Sequence, residues 1–166
     1  MKKVELLAPA GNYEAFIAAI NAGANAVYMG LNSFSARAYA NNFTIDEIKN
    51  LVEYAHLRNV KVFVTMNTII FQDELPLAYS TIDELAKANI DAIIIQDLAL
   101  LDYVAKCYPS IEAHASTQMG IDDLEGITSL EKLGVKRVVL AREVPIEKIK
   151  YFKTKTTMPL EAFIHG

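Results

Sequence analysis

Apolar residues in this chain fall into short runs that alternate with longer amphipathic stretches, and the alternation repeats from end to end. The runs Val4–Ala8, Ala26–Met29, Val60–Thr65, Ala92–Gln96, Ile111–Ala115, Arg137–Ala141 and Leu160–His165 are β-branched or alternating, and short enough for strands. The stretches between them read as helices. Thr44-Ile45-Asp46-Glu47 is a capping box, Phe43 and Ile48 stand at hydrophobic-staple positions, and Ile48, Leu51, Val52 and Ala55 make one apolar stripe. Asp122 and Glu125 repeat that capping logic ahead of Ile127 and Leu130, and Pro145 suits the first turn of a sixth helix.

The helix exits repeat as well. Gly23-Ala24-Asn25, Asn59-Val60-Lys61, Asn89-Ile90-Asp91 and Gly134-Val135-Lys136 each place a residue tolerant of left-handed backbone before an apolar contact and the next strand. Strict βα alternation predicts a parallel sheet with right-handed crossovers. An open doubly wound sheet would carry a Gly-rich phosphate turn after its first strand, whereas the sequence there is Ala8-Pro9-Ala10-Gly11-Asn12. The fold class expected is therefore α/β, a TIM-type (β/α) barrel left incomplete at six βα units plus a seventh strand. A full barrel takes eight units and about 250 residues. The expectation is thus a single domain over residues 1–166, the N-terminal part of a longer protein, with its sheet edges unpaired.

Barrels carry their chemistry at the C-terminal ends of the strands. Those ends bring Pro9, Asn12, Tyr28 and Gly30, then Thr65 and Asn67, Gln96 and Asp97, Ser116, Thr117 and Gln118, Arg142 and Glu143, and finally His165. Side chains alternate faces along a strand. Alternation puts Glu5, Tyr28, Lys61, Phe63, Thr65, Asn67, Glu112, His114, Ser116, Glu161, Phe163 and His165 toward the barrel axis. Two layers result. Glu5, Lys61, Glu112 and Glu161 form a charged floor, read as a structural ion-pair network because buried charges persist only when paired. His114, Ser116, Thr65, Asn67 and His165 form an upper rim, where His114, His165 and Glu143 are the candidate acids, bases or catalytic ligands. Tyr28, Arg37, Thr65, Asn67, Gln96, Asp97, Ser116, Gln118 and Arg142 are the candidate substrate-binding residues. Arg37, in the loop after the second strand, suits a carboxylate or phosphate, or else pins its own loop.

Composition narrows the classes. Hydrophobic residues make up 52% of the 166 positions and the net charge is −4, with no basic run long enough for a dedicated nucleic-acid surface. A local RNA-binding patch stays open. One cysteine, Cys107, excludes an internal disulfide and reads as a packing residue. No apolar segment has the length of a membrane span and the N-terminus lacks a signal-peptide pattern, so a cytoplasmic setting is expected. The chain has no HExxH, no CxxC and no GxSxG, and His114 and Ser116 on one strand lack an orienting third group.

The strand ends carry a resemblance. It runs through Glu5-Leu6-Leu7-Ala8-Pro9-Ala10-Gly11-Asn12, Ala22 to Gly30, Phe34-Ser35-Ala36-Arg37, Thr65-Met66-Asn67-Thr68 and Gln96-Asp97-Leu98. It continues through His114-Ala115-Ser116-Thr117-Gln118-Met119, Leu140-Ala141-Arg142-Glu143 and Glu161-Ala162-Phe163-Ile164-His165-Gly166. In this order the segments resemble peptidase family U32, the collagenase-like proteases. That resemblance implies an N-terminal barrel domain. It also implies that the His-Gly at His165-Gly166 leads, in the family, into cysteines that bind an iron–sulfur cluster. This chain stops before them, so it is expected to hold no cofactor and to be inactive alone. The family name implies proteolysis, yet several members resemble prephenate-dependent hydroxylation factors for tRNA or ribosomal RNA, or quinone hydroxylation factors. Arginine and histidine at the rim suit a prephenate-like anionic small molecule better than a protease, which needs an activated nucleophile or a metal-bound water. Genuine peptidase activity on a peptide substrate, and a non-catalytic binding module, are the alternatives.

Overall fold

The computed structural model describes residues 4–36 and 42–165. Seven strands and six helices alternate along it. They are β1 (Leu7–Pro9), α1 (Tyr13–Asn21), β2 (Ala26–Gly30), α2 (Ile45–His56), β3 (Lys61–Met66), α3 (Leu75–Lys87), β4 (Ala92–Ile95), α4 (Leu98–Cys107), β5 (Glu112–Ala115), α5 (Leu124–Lys132), β6 (Arg137–Val139), α6 (Ile146–Lys153) and β7 (Leu160–Glu161). All strand pairs are parallel and neighbours in the sheet are neighbours in sequence, as the βα alternation requires.

Local chemistry sets the boundaries. Thr44 and Glu47 form the expected capping box in both directions at the start of α2. Asp123, not Asp122, caps α5, accepting the Gly126 N–H at 2.6 Å. All four helix exits adopt the left-handed backbone that the sequence pattern predicts, at Gly23, Asn59, Asn89 and Gly134. The main core lies between the sheet and the helices, with Phe16, Ile48, Ile82, Leu85, Leu100, Leu101 and Phe152 buried there. A smaller apolar cluster of Ala26, Phe63, Ala92 and Ile94, with Leu7 and Tyr28 against it, lies on the opposite, inward face of the sheet.

Two expectations need correction. The seventh strand, expected over Leu160–His165, pairs only at Leu160 and Glu161. It has one neighbour, β6, which itself ends at Val139, so the residues beyond have no ladder to extend. Ala162 to His165 are accordingly exposed. Cys107, expected to pack, is exposed at the last position of α4.

Candidate functional site at the strand exits

The inward-facing side chains form two layers, but not with the membership that alternation alone suggests. The floor centres on Arg137, the inward-facing residue that opens β6. Its Nη1 lies 2.7 Å from Glu5 Oε1 and 3.3 Å from Glu161 Oε2, and Lys61 Nζ approaches Glu5 Oε2 at 3.8 Å. Burial raises the Glu161 carboxyl above its ordinary range despite the neighbouring guanidinium. The signal that could have found Arg137 was present, since it opens an apolar strand at an inward position.

His114 is the second correction. It belongs to the floor side of the barrel rather than the rim. Its ring is fully buried, stands edge-on to Phe63 at 4.9 Å, and its Nε2 lies 2.7 Å from Glu112 Oε2. Burial, aided by the Arg137 charge, pushes the imidazole pKa down against the opposing pull of Glu112. The hydrogen bond from His114 in turn lowers Glu112. A neutral ring donating from Nε2 fits both, and it leaves Nδ1 as a buried acceptor with no partner.

The rim itself divides into two groups. On one side the loop after β2 is pinned across β3. The Ser35 and Thr65 hydroxyls are 2.9 Å apart, Thr65 Oγ1 donates to the Met29 carbonyl at 3.3 Å, and Asn67 Oδ1 accepts the Ala36 N–H at 3.0 Å. Gly30 permits this close approach, because a Cβ there would meet the Ser35 hydroxyl and, at 2.7 Å, Asn42 Oδ1. Thr65 and Asn67 therefore hold backbone and loop in place. Tyr28 is half-buried against the interior cluster. Arg37 lies outside the described residues.

The other side carries an open cavity of about 310 Å³ lined by Thr117, Gln118, Gly120, Ala141, Arg142 and Glu143. Ser116 caps the short 3-10 turn Thr117–Met119 that opens this wall, accepting the Gln118 N–H at 3.2 Å. The two walls are tied together. Thr117 Oγ1 donates to the Leu140 carbonyl at 2.9 Å, and the Ala141 N–H donates to the Ile121 carbonyl at 3.0 Å. Arg142 places its guanidinium carbon 4.7 Å over the Phe163 ring, so the exit of β7 borders the same cavity. Thr117 is a strand-end residue and Phe163 an inward one by sequence, and that both stand beside this cavity depends on which strand exits converge. Gln96 is half-buried, Asp97 caps α4 by accepting the Ala99 and Leu100 N–H groups, and His165 is exposed. The geometry thus gathers Gln118, Arg142 and Glu143 into one pocket and assigns Asp97 and Ser116 to caps.

No three His, Cys, Asp or Glu side chains converge into a metal site among the described residues. The single cysteine of the sequence sits at the end of α4 opposite the rim.

The family model described as peptidase family U32 matches residues 11–166. A tRNA hydroxylation protein, P1, of Bacillus subtilis is 36% identical over 99% of this chain and 39% of its own length. The 23S rRNA 5-hydroxycytidine synthase of Escherichia coli is 40% identical over 99% of this chain and 24% of its own. A collagenase of Porphyromonas gingivalis is 37% identical over 88% of this chain and 35% of its own. The chain therefore spans well under half the length of these relatives. Among solved structures, the U32 peptidase Mk0906 superposes with a TM-score of 0.77 at 16% identity, covering 96% of this chain and 68% of that one, which is a likeness of fold.

Proposed function

The chain belongs to peptidase family U32, and from that premise we propose that its strand-exit pocket serves the hydroxylation of tRNA or ribosomal RNA rather than peptide hydrolysis. The relatives named for RNA hydroxylation match nearly the whole chain. One observation carries the choice. Among the described residues, the Ser116 hydroxyl accepts a turn N–H and the His114 ring is bonded to Glu112, so these two do not form a nucleophile–base pair. His56, half-buried at the last position of α2, is likewise bonded to a carboxylate, Asp91, at 2.8 Å. A nucleophile needs a base within hydrogen-bond reach.

The reading includes a prephenate-like anionic co-substrate and an iron–sulfur cluster in the whole protein. Arg142 supplies the described rim guanidinium that would meet a carboxylate. A cluster is held by several thiolates, and the one cysteine, at the far end of α4, does not form such a set. The part of this chain in the reaction is then to bind and orient substrate. An RNA substrate would put the reaction in the cytoplasm, and no helix among the described residues is long and apolar enough to cross a membrane.

The test compares hydroxylated nucleosides, by mass spectrometry, in tRNA and ribosomal RNA from cells with and without the gene. Loss of one such nucleoside on deletion is expected. Unchanged RNA together with peptide cleavage by the purified full-length protein would overturn the proposal.

A further inference from the structure

Resting on the RNA-hydroxylation reading, we propose that Arg142 and Phe163 form a stacking platform for one unpaired nucleobase of the RNA, presented to Gln118 and Glu143 in the adjoining cavity. An enzyme that acts on a base inside a helix must first take that base out of its stack. The extruded base then needs a flat surface for its face and polar groups for its edge. Sequence-specific RNA recognition supplies these with aromatic rings, arginine planes and side chains that bond the base edge.

The cavity, with Phe163 beside it on the far side of Arg142, supplies all three. The Arg142 guanidinium lies over the Phe163 ring, with 4.7 Å between its carbon and the ring centroid. Phe163 is 40% exposed, so ring surface remains open after that contact, and Ile164 beside it is 89% exposed. Gln118 carries an amide with both donor and acceptor, and Glu143 carries an acceptor. An acceptor at that place favours a base with an exocyclic amine, since carboxylates accept from the N4 amine of cytosine. The volume of about 310 Å³ is that of a small-molecule site, which run from about 300 to 1,000 Å³. The walls are held in advance, since Thr117 and Ala141 bond across from one wall to the other.

The platform differs from a simple anion site in what it requires beside Arg142. A carboxylate held two-pronged by Arg142 would also be weakened by lysine, whereas only stacking needs the aromatic ring at position 163 as well.

The experiment uses the full-length protein in a deletion strain complemented with wild type, Arg142→Lys, Phe163→Leu or Phe163→Tyr. The hydroxylated nucleoside is read by mass spectrometry, with melting temperature of each purified variant as the folding control. Arg142→Lys and Phe163→Leu are each expected to lower the nucleoside roughly tenfold or more, while Phe163→Tyr keeps it near wild type. Wild-type levels in Phe163→Leu would overturn the platform and leave the hydroxylation reading standing. An unchanged nucleoside profile in the deletion strain itself would remove that reading, and the platform with it.

Discussion

Arg137 and Glu5 meet at 2.7 Å across the floor of the barrel, joining the sixth strand to the segment that leads into the first. Arg137 also reaches Glu161 on the seventh strand at 3.3 Å. Glu5 and Glu161 lie 132 and 24 positions from Arg137 in sequence. One guanidinium thus spans the two edges of a sheet whose order runs from β1 to β7.

Arg137→Met should be strongly destabilising, because it leaves Glu161 without its cation and Glu5 with only the longer Lys61 contact. A fully buried pair broken in this way costs about 3–5 kcal/mol, and partial exposure of these carboxylates should bring the loss to about 2–3 kcal/mol. Urea denaturation at neutral pH measures it. A double change of Arg137 and Glu161 to apolar residues should recover part of the loss, since it removes an unpaired charge.

The buried imidazole of His114 predicts a pH dependence of stability with a definite sign. Its folded-state pKa lies below the ordinary value of 6.5, so the unfolded chain takes up the proton first. The contribution is fully present above about pH 6.5 and is lost as pH falls from there through the folded-state pKa. Denaturant midpoints measured between neutral and mildly acidic pH should fall for wild type. The fall should be shallower for His114→Gln, and an identical slope in both would refute the assignment.

Gly30→Ala should loosen the loop after β2. The new methyl overlaps the Ser35 hydroxyl, which must leave Thr65 to make room. Overpacking of this kind costs about 1–3 kcal/mol. A lowered melting temperature is expected, together with faster amide exchange at Ala36, whose N–H is bonded to Asn67.

Ser116→Ala separates the capping role from a nucleophilic one. Loss of the cap to Gln118 should cost roughly 0.5–1 kcal/mol and leave most activity in place. A nucleophile removed would abolish turnover, so nucleoside analysis of the complemented strain decides between them.

Much of the fold could be read directly. The four left-handed helix exits and the Thr44–Glu47 box depend on residues within a few positions of one another, and their sequence signals matched the structure. The inward parity of Glu5, Lys61, Glu112 and Glu161 was legible for the same reason, because alternation is a local property of strands. The candidate site was legible only as a set of strand ends. Asp97 and Ser116 look like substrate-binding residues by position, but each lies just before a helical turn and caps it. His114 looks like a rim residue by its place near the end of β5, but its nearest polar partner is two residues back on the same face.

By itself, then, the sequence determined the kind and order of the elements, the parallel sheet and the end of it where polar groups collect. These follow from periodicities and caps that act over a few residues. Only the tertiary structure decided that Arg137 links both sheet edges, that His114 faces Glu112, and that Arg142 lies on Phe163 beside Gln118 and Glu143. Those pairings depend on how far the sheet curls and on which strand exits converge, and no local pattern encodes either one.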